Sequence, residues 1–373
     1  MTRPVRFVGM LRSPASWAKV ARELCLALIR DGVHVCVDEQ LDDRFEAEFP
    51  LEPELFAVLA QPCARPEEEH GAFTFAAPDQ YADLALGSLS VGLLAWEATQ
   101  WPVSWVEAAR SHVGRVALPS RFAAETLVAS GLPASRVGVV PHGVDQRTYH
   151  PGGRSPAGGE SDLRLLFVGT PARRKGLDAL VDVVRHAFPD GRGVRLTVKM
   201  VPYEDAATRP YLDHEWRGRL AMLDRDGYDV EIVERVVSEA EMADLYRDAD
   251  LLCHPFRGEC FPLPFLESMA CGTPVVCTGW SGPLDLIDDR IGRLVAPASL
   301  VPAAGFLPQP ELVGDEALMA EPDVVGMARA VVELDRDRGE LGRLGVRAGE
   351  AMLRWTWAEA ARALLEELDR AER

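Results

Sequence analysis

Residues 5–37 read VRFVGMLRSPASWAKVARELCLALIRDGVHVCV, and this stretch contains the pattern that decides the fold class. Two short apolar runs, Val5–Gly9 and Val33–Val37, flank a segment that is predicted to be helical, Ala15–Arg30. Gly32 follows the predicted helix end, where a positive φ is needed. A strand, a helix and a second strand within about 35 residues have the spacing of a βαβ unit. The stretch therefore predicts an α/β fold with a mostly parallel sheet.

The same alternation continues to about residue 140 and restarts at Leu163. Between these halves lies PGGRSPAGGESD, which is rich in Gly, Pro and Ser and nearly free of apolar residues, as linkers are. The predicted organisation is an N-terminal α/β domain, a linker, a C-terminal α/β domain and an amphipathic helix, at residues 1–150, 151–162, 163–354 and 355–373. Residues 45–79 are too weakly patterned to place, and the Pro-rich segment 295–310 is predicted to be an irregular surface loop.

Composition excludes several classes of protein. The chain has 373 residues, 40 of them basic and 58 acidic, so its net charge is −18 and general attraction to nucleic acid or anionic lipid is disfavoured. Hydrophobic residues make up 47%, which excludes overall disorder. The seven cysteines contain no CxxC pair, and we find no signal peptide and no apolar run of about 18 residues. We therefore expect a cytoplasmic protein without stable membrane insertion.

The densest cluster of chemically useful residues is segment 254–277, HPFRGECFPLPFLESMACGTPVVC. It is predicted to run from a buried strand through a loop into a helix that starts near Pro264. Helix N-termini after strand ends suit anions, and ligands of open α/β sheets collect at such ends. Glu267, one turn inside the helix, could accept hydrogen bonds from two hydroxyl groups, such as those of a ribose. The alternative is that Glu259 and Glu267 are solvated residues beside a structural loop.

A basic turn follows the first strand of the second half. The predicted strand ends at Gly169, where close backbone approach is possible. Arg173, Arg174 and Lys175 then precede a helix that begins at Leu177. Three cations at a helix N-terminus oppose the helix dipole unless an anion binds there, and a diphosphate would supply that anion. The alternative is a solvated basic turn.

Together these motifs resemble those of family-four glycosyltransferases of the GT-B fold. Glu259 and Glu267 match the family's Glu, seven residues, Glu pattern, and the following SMACGTPVV matches its usual continuation. Residues 139–145, 167–176 and 239–255 resemble further family segments. The resemblance implies two Rossmann-like α/β domains that face a cleft, with the C-terminal helix crossing back to the N-terminal domain. It also implies a retaining transfer of a sugar from a nucleotide-diphosphate donor, which is a co-substrate rather than a bound cofactor.

The resemblance assigns the donor site to the C-terminal domain. Lys175, Arg173 and Arg174 would stabilise charge on the leaving diphosphate, Glu259 would orient the donor sugar, and Glu267 would hold the ribose. Thr170 stands where relatives often have Arg, so Arg173 or Arg174 must supply the second charge. The predicted catalytic residues are Glu259, Lys175 and Arg174. The predicted donor-binding residues are Gly169, Arg173, Arg174, Lys175, Glu259, Phe261, Leu263 and Glu267, with backbone amides serving at Phe261 and Leu263 because Pro262 replaces the family's Gly.

The predicted acceptor residues lie in the N-terminal domain. Trp96 and Glu97 stand where many relatives have a His, and Glu97 suits an acceptor hydroxyl or a protonated amine. His142 stands near the hinge, where relatives have Asn. The structural alternatives are that Glu97 is a capping or surface residue and that His142 completes a turn.

We therefore expect a UDP-sugar donor and a small polar acceptor, such as an aminated sugar or aminocyclitol of an antibiotic or other natural-product pathway. A polysaccharide-building transferase, a GT-B nucleotide-sugar epimerase and a non-catalytic sugar-nucleotide-binding protein are the alternatives. No metal is expected, because the Asp-x-Asp triplets at 224–226, 248–250 and 335–337 are interpreted as solvated helix faces. The oligomeric state is not predicted.

Overall fold

The structure is a computed structural model, and it describes residues 4–40, 51–59, 71–152, 162–200, 216–307, 313–314 and 316–373. Most of the predicted linker, residues 153–161, lies outside these described residues, as does part of the unplaced segment 45–79. The chain forms two compact units. Unit 1 comprises Met1–Gly143, Glu311–Ala317 and Trp355–Arg373, and unit 2 comprises Val144–Pro310 and Leu318–Arg354.

Unit 1 is built on a parallel sheet, which has six strands within the described residues, in the order β2-β1-β3-β4-β5-β6. Its strands are β1 Val5–Gly9, β2 Val35–Glu39, β3 Gly71–Thr74, β4 Ser90–Leu93, β5 Arg115–Leu118 and β6 Val137–Val139. The helices between them are α1 Ser16–Arg30, α2 Pro53–Leu59, α3 Val103–His112 and α4 Arg121–Ala129. All residues of β1, β3, β4 and β5 are buried, as expected for a parallel sheet covered on both faces.

Unit 2 repeats this design with a parallel sheet in the order β12-β11-β10-β7-β8-β9, again counted over the described residues. Its strands are β7 Leu163–Val168, β8 Val194–Met200, β9 Asp229–Glu234, β10 Leu251–His254, β11 Val275–Thr278 and β12 Arg293–Val295. Its helices are α5 Leu177–Ala187, α6 Arg217–Arg225, α7 Glu239–Asp248, α8 Leu263–Ala270, α9 Val324–Arg336 and α10 Arg338–Met352. The predicted α/β class and the two Rossmann-like sheets are confirmed.

The amphipathic helix near the end of the chain, α11 Trp357–Ala371, belongs to unit 1. It contacts α1, β4 and β5, and it buries the apolar face that its sequence spacing predicts. Glu367, which is only 2% exposed, accepts a hydrogen bond of 2.7 Å from Nε of Arg115 on β5. The predicted return of the C-terminal helix to the N-terminal domain is confirmed.

The strand order of unit 2 locates the place where a ligand would bind. The chain passes from β7 through β8 to β9 on one side of β7, and then returns to place β10 on its other side. Loops after β7 and β10 therefore diverge to opposite faces of the sheet and leave a crevice at its carboxyl edge. The two motifs singled out in the sequence follow these two strands.

Two sequence predictions about unit 2 are wrong. Segment 295–310 is not wholly irregular, since β13 Ser299–Pro302 pairs antiparallel with β14 Leu318–Glu321. Asp250 is not solvated, because its buried carboxylate binds the guanidinium groups of Arg164 and Arg338. Asp250 lies between the end of α7 at Asp248 and the start of β10 at Leu251, so it is not on a helix face.

No helix within the described residues is both long enough and apolar enough to span a membrane.

Candidate functional site

Three loops meet at the carboxyl edge of the unit 2 sheet, after the adjacent strands β7, β10 and β11. They comprise residues 169–176, 255–262 and 279–283. The first contains the basic turn, the second contains Glu259, and the third begins a short 3₁₀ helix at Gly282. Parallel strands bring these loops to one edge although they are far apart in the chain.

The basic turn is held in place by Gly176. Arg173–Lys175 form a 3₁₀ turn that ends at Gly176, whose left-handed backbone (φ 74°, ψ 30°) starts α5. A Cβ atom on this glycine would lie 1.7 Å from the carbonyl oxygen of Pro255. The loop after β7 therefore packs directly on the backbone of the loop after β10, and only glycine fits between them.

Lys175 and Arg174 both approach the carboxylate of Glu259. Nζ of Lys175 lies 2.5 Å from Oε1 of Glu259, and Nη1 of Arg174 lies 3.7 Å from Oε2. The carboxylate is only 5% exposed, whereas the lysine and arginine side chains are 16% and 18% exposed. The predicted catalytic residues thus form one group, although 84 positions separate Lys175 from Glu259.

Electrostatics keep Glu259 ionised despite its burial. Desolvation on its own raises the pKa of this carboxyl, but the charges of Lys175 and Arg174 together outweigh it and leave the pKa below its ordinary value. Lys175 can serve both Glu259 and a phosphate oxygen, because an ammonium group carries three N–H donors. The group can therefore bind an anion without first neutralising its own carboxylate.

Arg257 joins the first two loops, and the sequence analysis did not identify it. Its backbone N–H donates to the carbonyl oxygen of Arg174 at 2.7 Å, and its Nη1 donates to that of Arg173 at 2.9 Å. Its guanidinium also makes bidentate contacts with Asp178 and Glu321 at 2.8–2.9 Å. Two carboxylates hold the guanidinium in one orientation, and Arg257 therefore fixes the backbone of the basic turn through the carbonyl oxygens of Arg173 and Arg174.

The loop after β11 binds the backbone of Glu259, a contact that the sequence analysis did not identify. Oγ of Ser281 donates to the carbonyl oxygen of Glu259 at 2.9 Å, and the N–H of Gly282 donates to the same oxygen at 3.0 Å. Arg257 and Ser281 act on backbone atoms, and no spacing pattern in a single sequence marks such contacts.

Glu267 lies in a separate tyrosine–carboxylate cluster. It is the fifth residue of α8 and is 6% exposed. The hydroxyl of Tyr246 donates to its Oε2 at 2.8 Å. Tyr149 packs against Tyr246 with ring centroids 6.0 Å apart and donates its hydroxyl to Glu239 at 2.5 Å. Burial, followed by the nearby charge of Glu267, raises the pKa of Tyr246 well above its ordinary value, so this hydroxyl stays a donor.

The remaining donor-site predictions fall on the same loops. Gly169 follows β7, and a Cβ there would lie 3.2 Å from the Phe167 ring and 3.5 Å from Nε2 of His254. Phe261 and Leu263 are 6% and 5% exposed and flank Pro262, the N-cap residue of α8. Arg173 is the exposed member of the basic turn.

The predicted acceptor residues all lie in unit 1. Trp96 is 5% exposed, donates its indole N–H to the carbonyl oxygen of Gln100 at 2.7 Å, and packs on Trp101 and Trp105. Glu97 follows it and is half-buried. His142 is 7% exposed and stacks on Trp357 with a centroid distance of 6.0 Å. Trp96 and His142 thus have packing roles that require no ligand.

Two buried histidines predict how stability depends on pH. Burial lowers the pKa of His142 to about 3 and that of His254 to about 4. Nε2 of His254 contacts the carbonyl oxygen of Val168 at 3.1 Å, and its Nδ1 has no hydrogen-bond partner among the described residues. Protonation would therefore leave a buried charge with an unpaired N–H.

As pH falls below about 6.5, the unfolded chain takes up protons that the folded protein does not, so stability must fall. We expect each histidine to cost about 2 kcal/mol of unfolding free energy between pH 7 and pH 5. Urea unfolding across this range measures the slope. The variant His142→Phe preserves the stacked ring, and the unfolding free energy of its unit 1 should change less steeply with pH than that of the wild type. An unchanged slope would contradict the buried neutral imidazole.

No group of three or more His, Cys, Asp or Glu side chains with the geometry of a metal site occurs in the described part of the chain.

A family model and several curated relatives match parts of this sequence. The family model described as "Glycosyl transferases group 1" matches residues 162–307. The D-inositol 3-phosphate glycosyltransferase of Xylanimonas cellulosilytica is 31% identical over 260 residues, which cover 66% of this chain and 54% of that protein. The chain spans about half the length of the curated relatives that it matches.

Solved structures resemble the whole chain. Anabaena HepE, in a complex with UDP and glucose, has a TM-score of 0.69 and 15% identity, with 98% of this chain and 99% of that one covered. Sucrose-phosphate synthase from Thermosynechococcus elongatus has a TM-score of 0.70 and 16% identity, with 98% of both chains covered. At these identities the likeness shows the fold.

Proposed function

Because the chain has the GT-B fold and resembles the family-four glycosyltransferases, we propose that it transfers a sugar from a nucleotide-diphosphate donor to an acceptor hydroxyl or amine. The observation that carries this proposal is the convergence of Lys175, Arg174 and Glu259 at the switch point of the unit 2 sheet. Cations there can neutralise a diphosphate, and a buried carboxylate beside them can accept hydrogen bonds from a sugar.

In the proposed reaction, the bond between the sugar's anomeric carbon and the diphosphate oxygen breaks while the acceptor forms a new bond to that carbon. Negative charge grows on the departing diphosphate, where Lys175 and Arg174 or Arg173 stabilise it electrostatically. Glu259 orients the sugar. We propose retention of the anomeric configuration, with the departing diphosphate accepting the acceptor's proton. The anomeric coupling constant of the product, measured by NMR, distinguishes retention from inversion.

We propose that the donor is a UDP-sugar, and that Glu267 binds the ribose hydroxyls. The fold neighbour that holds UDP and glucose supports the choice of UDP as the first ligand to test. The contact with Tyr246 on Oε2 supports the role of Glu267, because it holds the carboxylate in one orientation.

UDP, GDP, ADP and dTDP should therefore differ in their effect on thermal unfolding. A nucleotide at about 100 times its dissociation constant stabilises the protein by about 2.7 kcal/mol, or several degrees. We expect the shift with UDP to be largest and to be lost in Glu267→Gln. The matched control is Glu239→Gln, which alters a neighbouring carboxylate that also accepts a tyrosine hydroxyl. A shift that survives in Glu267→Gln and disappears in Glu239→Gln would contradict the assignment.

For the acceptor we propose a small polar molecule. The relatives' name concerns D-inositol 3-phosphate, which supports a phosphorylated cyclitol as one acceptor to test. The half-buried Glu97 supports an aminated sugar or aminocyclitol of a natural-product pathway as the other. Incubation of the identified donor with each class, followed by mass spectrometry, decides between them. Donor isomerisation without acceptor would instead indicate an epimerase, and binding without any turnover would indicate a sensor. The cytoplasmic location remains a prediction.

A further inference from the structure

Ser281 has a backbone conformation that side chains other than glycine rarely adopt. Its φ is 54° and its ψ is −140°. Within the described residues, Ala85 is the other non-glycine residue with a positive φ. Such strain persists only where the surrounding structure enforces it, and it often occurs at functional sites.

The contacts of Ser281 show what enforces this conformation. The residue is 2% exposed, and its hydroxyl donates to the carbonyl oxygen of Glu259 at 2.9 Å while lying 3.4 Å from the N–H of Glu259. The adjoining Gly282 presses on the same loop, because a Cβ there would lie 1.7 Å from the carbonyl oxygen of Cys260. The turn after β11 thus packs against the backbone of Glu259.

Glu259 is therefore held from two sides. Lys175 and Arg174, from the loop after β7, attract its carboxylate. Ser281 and Gly282, from the loop after β11, bind its backbone. The second attachment fixes the carbonyl oxygen of Glu259 and so opposes the attraction of the carboxylate toward the cations.

We propose that Ser281 is a positioning residue for Glu259, which keeps the carboxylate at the place where it meets the donor sugar. This inference rests on the proposed function. Glycine at position 281 would adopt the same φ without strain but would lack the hydroxyl. Ser281→Gly therefore removes the hydroxyl while it keeps the turn. Removal of the hydroxyl should weaken binding of the sugar more than binding of the nucleotide.

The test compares the Kd of UDP with the Kd of UDP-glucose, by calorimetry, in the wild type and in Ser281→Gly, Ser281→Ala, Glu259→Gln and the double variant Ser281→Gly/Glu259→Gln. We expect Ser281→Gly and Ser281→Ala to lower the ratio of Kd for UDP to Kd for UDP-glucose by roughly tenfold, the effect of losing one hydrogen bond between the charged carboxylate and the sugar. We expect Glu259→Gln to lower it at least as much. The serine substitution should add nothing in the Glu259→Gln background, because its effect passes through Glu259.

Thermal unfolding separates this role from a purely structural one. Ser281→Gly should melt at a higher temperature than Ser281→Ala, since only glycine relieves the strain. The matched control is Ala85→Gly, which relieves a similar strain (φ 46°) in unit 1 and should leave the Kd ratio unchanged.

Each other outcome is decisive. An unchanged ratio in Ser281→Gly, or an equal further loss in the Glu259→Gln background, would overturn the positioning role and leave the proposed function intact. Failure of the wild type to bind UDP, UDP-glucose or the corresponding GDP, ADP and dTDP pairs would overturn the proposed function, and this role with it.

Discussion

Gly176→Ala is expected to lower the free energy of unfolding of unit 2 by roughly 4 kcal/mol or more and to abolish UDP binding. The added Cβ would lie 1.7 Å from the carbonyl oxygen of Pro255. The backbone fixes the positions of both atoms, so neither can rotate away. The basic turn must then separate from the loop after β10. Lys175 directly precedes Gly176, and its 2.5 Å contact with Glu259 would break with that separation.

Gly227→Ala is the matched control for this prediction. Gly227 also has a left-handed backbone (φ 91°) in unit 2, but a Cβ there would meet nothing within 4 Å. It should cost about 1 kcal/mol, the penalty of the conformation alone, and UDP binding should persist. Urea unfolding and calorimetry with UDP measure both effects. A Gly176→Ala protein as stable as Gly227→Ala would contradict the close approach of the two loops.

Lys175→Met is expected to weaken UDP binding by roughly 10- to 150-fold, which corresponds to the 1.5–3 kcal/mol of a hydrogen bond to a charged group. It should also destabilise unit 2 by roughly 3 kcal/mol at neutral pH. Of the two cations in the described part of the chain that contact the buried carboxylate of Glu259, the variant keeps only Arg174, at 3.7 Å. Loss of the lysine removes a charge that lowers the pKa of Glu259. The stability deficit should therefore shrink as pH falls and the carboxyl takes up a proton.

The double variant Lys175→Met/Glu259→Gln separates these two effects. A neutral amide needs no counter-charge, so stability at neutral pH should recover toward that of the wild type while UDP binding stays weak. Calorimetry with UDP and urea unfolding at pH 7 supply the comparison. If the double variant regained both stability and UDP binding, Lys175 would serve the fold and not the diphosphate.

The α/β class was predictable from sequence because strand and helix periodicity is local. The strand Val5–Gly9 and the helix Glu239–Asp248, for example, have bounds that follow from their own apolar pattern and caps. The pairing of β13 with β14 was not predictable, because each strand has only four residues and is stabilised by a partner some 20 residues away. Asp250 was misjudged for a related reason, since both of its arginine partners are distant in sequence.

The candidate site also contains residues that the sequence identified and residues that only the structure revealed. Glu259, Glu267 and Lys175 are side chains in motifs that resemble those of a known family, and their roles remain predictions. Arg257 and Ser281 support those residues through carbonyl oxygens, and such contacts exist only once three strands lie side by side. A strained φ leaves no trace in composition or spacing, so Ser281 could be identified only from the structure.

The return of α11 to unit 1 has a consequence for the order in which the protein is made. Unit 1 begins with the first strand, but the helix that covers β4, β5 and α1 is translated only after about 200 residues of unit 2. At 5–20 residues per second, the ribosome needs about 10 to 40 s to cross that interval. Unit 2 can complete its sheet during this time, whereas the earlier-made unit 1 waits with an uncovered apolar face. The first unit to be synthesised is therefore the last to be finished.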